Sequence, residues 1–107
     1  MTKCEFFRDN ERITGFSISG HSGYAEAGSD IVCASITAAV TMAEAIINDV
    51  CGGKAKVRVK EADARITLTL PSVCEEEETI QSVLAGMMLY LINLRDDFED
   101  YIEVLEV

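Results

Sequence analysis

The stretch SDIVCASITAAVTMAEAIINDVCGG, Ser29 to Gly53, decides the fold. Ser29 and Asp30 are both good N-cap residues, because a short side-chain oxygen can accept from the free amides of a first helical turn. From Ile31 to Val50 the chain is rich in Ala, Ile, Val and Met, and it meets no glycine or proline until Gly52-Gly53. This pattern predicts one long helix over 31–50. A helix so apolar on every side is expected to be buried over most of its surface, against a sheet on one face and a second layer on the other.

Before this helix lies Gly20-His21-Ser22-Gly23-Tyr24-Ala25-Glu26-Ala27-Gly28, too permissive at the backbone for a regular element and therefore a loop. Before the loop, Cys4 to Arg8 and Arg12 to Ser19 flank the polar Asp9-Asn10-Glu11. Thr14, Phe16 and Ile18 alternate there with Ile13, Gly15 and Ser17, which is a hairpin signature. On the other side of the helix, Lys54 to Lys60 carries Val57 and Val59, and Arg65 to Leu70 carries Ile66, Leu68 and Leu70. A second hairpin turns at Glu61-Ala62-Asp63-Ala64. Pro71-Ser72 breaks the strand. Glu75 to Glu78 then precede Ile80, Val83, Leu84, Met87, Leu91 and Ile92 at helical spacing, and four acids suit the positive end of a helix dipole. The same four also allow a basic-ligand site. Met87 and Met88 read as core filling. Tyr101 to Val107 reads as a last strand. The order ββαββαβ predicts an α+β domain, one small mixed or antiparallel sheet packed by two helices, and 107 residues fit a single domain over 1–107.

Nine Lys and Arg against nineteen Asp and Glu leave a net charge of −10. A chain that must neutralise many phosphates would have the opposite balance, so direct nucleic-acid binding is not expected. Residues 1–60 hold seven basic and seven acidic side chains, whereas residues 61–107 hold two and twelve. The excess therefore reads either as a solvated surface or as attraction for a basic partner. No apolar run reaches the roughly 18 residues needed to span a bilayer, and no membrane is expected as a partner. The opening Met1-Thr2-Lys3-Cys4-Glu5 lacks a secretory core, and the four cysteines form no Cys-x-x-Cys pair. A reduced, cytoplasmic protein is the expectation. One histidine and four scattered thiols do not make a zinc site, so neither metal nor cofactor is expected.

His21 is the only histidine, and it lies in the glycine-flanked loop twelve residues before Cys33. With a helix starting near Ser29, Cys33 falls at the end of the first turn, where free N–H groups and the dipole favour a thiolate. An imidazole carried over it by the loop can take the thiol proton and return it to a leaving amine. Asp30 and Thr37 lie within about 60° of Cys33 around the helix axis, so the three share a face. The competing reading treats Cys33 as a small core hydrophobe, the usual fate of a cysteine in an Ala-rich helix. Cys4, Cys51 and Cys74 have no histidine near in sequence and read as structural.

The run from Ser19 to Thr37, in the pattern G-H-(S/A)-x-x-x-x-x-G-x-D-I-V-C-A-x-x-(S/T), resembles the ribosomal-processing cysteine protease family Prp. The resemblance extends over chain length, element order and the acidic second helix. It implies an endopeptidase that removes the N-terminal extension of a large-subunit ribosomal protein precursor, number twenty-seven, cutting after a pair of phenylalanines. It implies Cys33 as nucleophile, His21 as general base, Asp30 and Thr37 as supporting groups, and Gly20 and Gly28 as loop hinges. It also implies a homodimer. Ser22, where alanine is common in the family, is the one departure. The alternative from another class is a non-catalytic, ribosome-associated peptide-binding protein in which His21 and Cys33 merely shape a groove.

Overall fold

The computed structural model describes Met1 to Val107. Five strands are present: β1 (Thr2–Asp9), β2 (Arg12–Ser19), β3 (Lys56–Lys60), β4 (Arg65–Thr69) and β5 (Ile102–Glu106). The two helices are α1 (Ile31–Glu44), which continues as a wide π turn over Ala45–Val50, and α2 (Glu77–Asp97). The strands form one sheet in the order β3-β4-β2-β1-β5. Only β1 and β5 run parallel, so the sheet is mixed, and the predicted α+β order holds.

Register explains why one face of the sheet is apolar. Cys4 lies opposite Ile18, and Phe6 opposite Phe16. Phe16 and Ile18 in turn oppose Leu68 and Ile66. Side chains alternate across a strand, so these residues all project to one side, where they meet Ile80, Leu84 and Leu91 of α2 and Val32, Ile36 and Ile47 of the first helical segment. The other side carries Glu5, Ser17, Thr67 and Arg58 in a single cross-strand row.

Two expectations need correction. Residues 31–50 are not buried on most sides: Val32, Ile36, Val40, Ala43 and Ile47 form one buried stripe, while Ile31, Met42 and Val50 are 53, 65 and 77 % exposed. The sheet and α2 lie along that stripe, and nothing in the chain covers the opposite side. By length and composition this helix is apolar enough to cross a membrane, although no uninterrupted apolar run is. Its buried stripe instead forms part of the packed core. In the acidic run, Glu75 and Glu76 precede α2, and only Glu77 and Glu78 occupy its first turn. Glu77 is held there by Arg12, whose Nε lies 2.7 Å from Oε2 and Nη2 3.1 Å from Oε1.

Where β4 ends before Pro71, the sheet is continued by a side chain. Gln81 of α2 accepts from the Ile13 amide at 2.8 Å and donates to the Ile13 carbonyl at 2.8 Å. These bonds fasten α2 to β2. The last turn of the first helical segment uses the same device, with Asn48 accepting from the amide of Ala55 and donating to its carbonyl at 2.7 and 3.1 Å.

Candidate active site

The loop between β2 and α1 begins at a fixed corner. Gly20 has φ +83, and a Cβ there would lie 2.8 Å from the carbonyl oxygen of Met1. Its amide donates to the carbonyls of Asp63 and Ala64 at 3.3 and 3.2 Å. Gly28, at φ +88, has open space around it. Between these two, Tyr24 packs edge-on against Phe98 and Tyr101, with ring centroids 5.4 and 5.2 Å apart. The loop is thereby attached to the connection between α2 and β5.

At the head of α1, Asp30 is the N-cap. Its Oδ1 accepts from the amides of Val32 and Cys33, both at 3.0 Å. Its Oδ2 accepts from the Ala25 amide at 3.3 Å and from the Ser22 hydroxyl. The carboxyl is only 9 % exposed. Burial by itself pushes its pKa up, but the hydrogen bonds from Ser22, Cys33 and Ala25 outweigh that and hold it down at about 2. Asp30 therefore stays ionised while it joins the loop to the helix.

Cys33 is half-buried, and its thiol faces both Ser22 and the Asp30 carboxylate, which it helps to hold ionised. The Ser22 amide donates to Sγ at 3.4 Å, and Sγ donates to the Ser22 hydroxyl at 3.5 Å. His21 is exposed and makes no side-chain hydrogen bond. It shares with Cys33 and Thr37 the walls of two adjoining cavities. One, of about 280 Å³, is apolar at Ile18, Ile36, Val40 and Ile66. The other, of about 730 Å³, runs beneath the loop along Gly23, Ala25, Ala27 and Gly28.

The structure thus brings His21, Cys33 and Thr37 to common walls and places Asp30 behind them. It does not join His21 to Cys33, and it joins Asp30 to Ser22 rather than to His21. Sequence reasoning gave Ser22 no role, yet its side chain is 2 % exposed and lies between the carboxylate and the thiol. The aromatic attachment of the loop was also missed, since its partners lie more than 70 residues away. Burial pushes the Cys4 thiol up to about 12, and it also raises Cys74. All four thiols are free.

What the arrangement offers chemically is a thiol at a helix N-terminus, an imidazole one residue from the group that holds that thiol, and a two-part cleft crossing both. Comparison with known proteins gives the family. A family model described as cysteine protease Prp matches residues 1–103. The ribosomal processing cysteine protease Prp of Bacillus subtilis (strain 168) is 28 % identical over 107 residues, covering 97 % of this chain and 96 % of the relative. Among solved structures, the essential ribosomal processing protease Prp from S. aureus, in complex with a covalently linked product peptide, superposes with a TM-score of 0.90 at 18 % identity, and both chains are covered fully. A protein of Streptococcus mutans gives a TM-score of 0.87 at 19 % identity, covering 100 % of this chain and 94 % of the other.

Proposed function

Because this chain belongs to the Prp family of ribosomal processing cysteine proteases, we propose that it removes the N-terminal extension of a large-subunit ribosomal protein precursor in the cytoplasm, with Cys33 as nucleophile and His21 as general base. The observation that carries the assignment is the position of Cys33 at the head of α1, on the wall that two cavities share with His21. In the reaction, Sγ loses its proton to the imidazole and attacks the scissile carbonyl carbon. The tetrahedral intermediate collapses as His21 protonates the departing amine, leaving an acyl-enzyme thioester. Water, deprotonated by the same imidazole, then hydrolyses the thioester.

Other parts of the molecule support this reading. The apolar cavity at Ile18, Ile36, Val40 and Ile66 has room for an aromatic side chain, in keeping with cleavage after a pair of phenylalanines. Asp30 occupies the amides of Val32 and Cys33, which leaves the Ile31 amide and those of the Gly-rich loop as donors for the oxyanion. That loop shifts about Gly28, the end with open space around it, to bring His21 to Sγ when a peptide enters. Thr37 lines both cavities and supports the substrate from the helix side. The acidic residues Asp96, Asp97, Glu99 and Asp100 surround Phe98 in the chain, beside the loop attachment, and draw in a basic substrate at a rate that fades with salt.

The exposed side of α1 meets α2 in an apolar groove of about 530 Å³ lined by Ala38, Met42, Ile46, Val83 and Tyr90, among others. A second copy of the chain covers it in a homodimer. The deciding experiment is incubation with a candidate precursor and mass spectrometry of the products. Wild-type protein yields two fragments, Cys33→Ala yields none while still binding, and His21→Ala slows cleavage by about 10²-fold or more. Turnover by Cys33→Ala would end the assignment.

A further inference from the structure

Resting on that reading, the geometry around Sγ points to a device within it: we propose that Ser22 is a positioning residue that holds Cys33 as an unreactive thiol in the free enzyme, and that peptide binding arms the site by exchanging the Ser22 hydroxyl for the His21 imidazole at the sulfur.

The argument is one of hydrogen-bond capacity. A serine hydroxyl has one proton to give and two lone pairs with which to accept, whereas an ionised carboxylate can only accept. The Ser22 proton is therefore committed to Asp30 Oδ2. One lone pair accepts from the Tyr24 amide at 3.2 Å. The other faces Cys33 Sγ at 3.5 Å, and with no proton left on the oxygen's side, that contact is a bond only when sulfur supplies the hydrogen. A thiolate in the same place would set a full negative charge against an oxygen lone pair. The Ser22 amide, 3.4 Å from Sγ, favours the anion instead, and the Asp30 carboxylate beside the thiol disfavours it, but the amide belongs to the backbone and the carboxylate to another residue, so both survive a change of the Ser22 side chain. The hydroxyl is thus the separable part of the lock.

Position in the chain supplies the release. His21 and Ser22 are neighbours on one loop; Ser22 points inward at 2 % exposure, whereas His21 is exposed. Rotation of this short segment that withdraws the hydroxyl presents the imidazole. The proton then passes from Sγ to the ring nitrogen, and Ser22 keeps its own proton toward Asp30. An enzyme in a cytoplasm crowded with other chains gains a nucleophile that stays uncharged until a peptide is in the cleft.

The test follows alkylation of Cys33 by iodoacetamide, read on the Cys33 peptide by mass spectrometry, from about pH 5.5 to about pH 11. At the acidic end Ser22→Ala is expected to react about two- to tenfold faster than wild type, the range one hydrogen bond commands, with the two rates converging only once the pH is high enough for both proteins to react wholly through the thiolate. Equal rates at every pH, or an enhancement of the same size at every pH, would overturn the proposal, the second by showing that only access had changed. Should Ser22→Ala fail to fold, Ser22→Thr and Ser22→Val give the same comparison, being alike in bulk and different in the hydroxyl. Valine should then show the faster acid-side reaction and threonine the wild-type profile. The alkylation needs no substrate, so the lock can fail while Cys33-dependent cleavage stands, and cleavage by Cys33→Ala would fail the function without reference to the lock.

Discussion

Asp30 carries an acid-side prediction of its own. Its carboxyl sits at about 2 in the folded chain, and an aspartate in an unfolded chain titrates near about 3.9. A group depressed by folding contributes stability above its unfolded value and loses that contribution as pH falls through its folded value. The melting temperature of the wild type should therefore fall between about pH 4 and about pH 2 more steeply than that of Asp30→Asn, which keeps a capping oxygen but has no charge to lose. Circular dichroism at a series of pH values checks this. Parallel curves would assign the acid limb to other carboxylates, of which Glu77, also lowered by its bonds to Arg12, is one. Asp30 was legible in sequence because capping is local chemistry, set by one side chain and the amides two and three residues on. Ser22 was not, since its carboxylate partner lies eight residues away across a loop whose path no periodicity constrains.

Secondary-structure elements show the same division between local and distant causes. Alternation located β2, β3 and β4, a polar turn and a β-like tail gave β1 and β5, and the helices were marked by a cap and glycines around α1 and by helical spacing behind an acidic run for α2. How much of α1 is buried was misjudged, because counting apolar residues cannot tell which sides find a neighbour. Equally invisible was the seam between α2 and the end of β2, where Gln81 stands in for a missing strand. Gln81→Ala removes two hydrogen bonds of 2.8 Å and leaves the Ile13 amide and carbonyl without those partners, at an expected cost of about 1–3 kcal/mol. Urea denaturation measures it. A loss under about 0.5 kcal/mol would mean that water replaces the amide without penalty.

At the scale of the whole molecule, the family resemblance implied a dimer that composition alone does not. In the homodimer proposed above, the interface would be the uncovered side of α1, where Met42, 65 % exposed, borders the groove between the helices. Met42→Glu places a charge there and should shift sedimentation toward the monomer, while Cys33 alkylation stays at the wild-type rate. Unaltered sedimentation of a dimer would locate the interface elsewhere. One further consequence concerns the order of synthesis. β5 is made after α2, yet it pairs with β1, and the residues just before it, Phe98 and Tyr101, hold Tyr24 of the loop that carries His21. During translation Cys33, His21 and both helices leave the ribosome before the residues that secure the loop. A nascent chain stalled so that it ends outside the exit tunnel at Asp97 should therefore cleave precursor far more slowly than the released protein, which puts the birth of the proposed activity at the emergence of β5 rather than at that of Cys33 and His21.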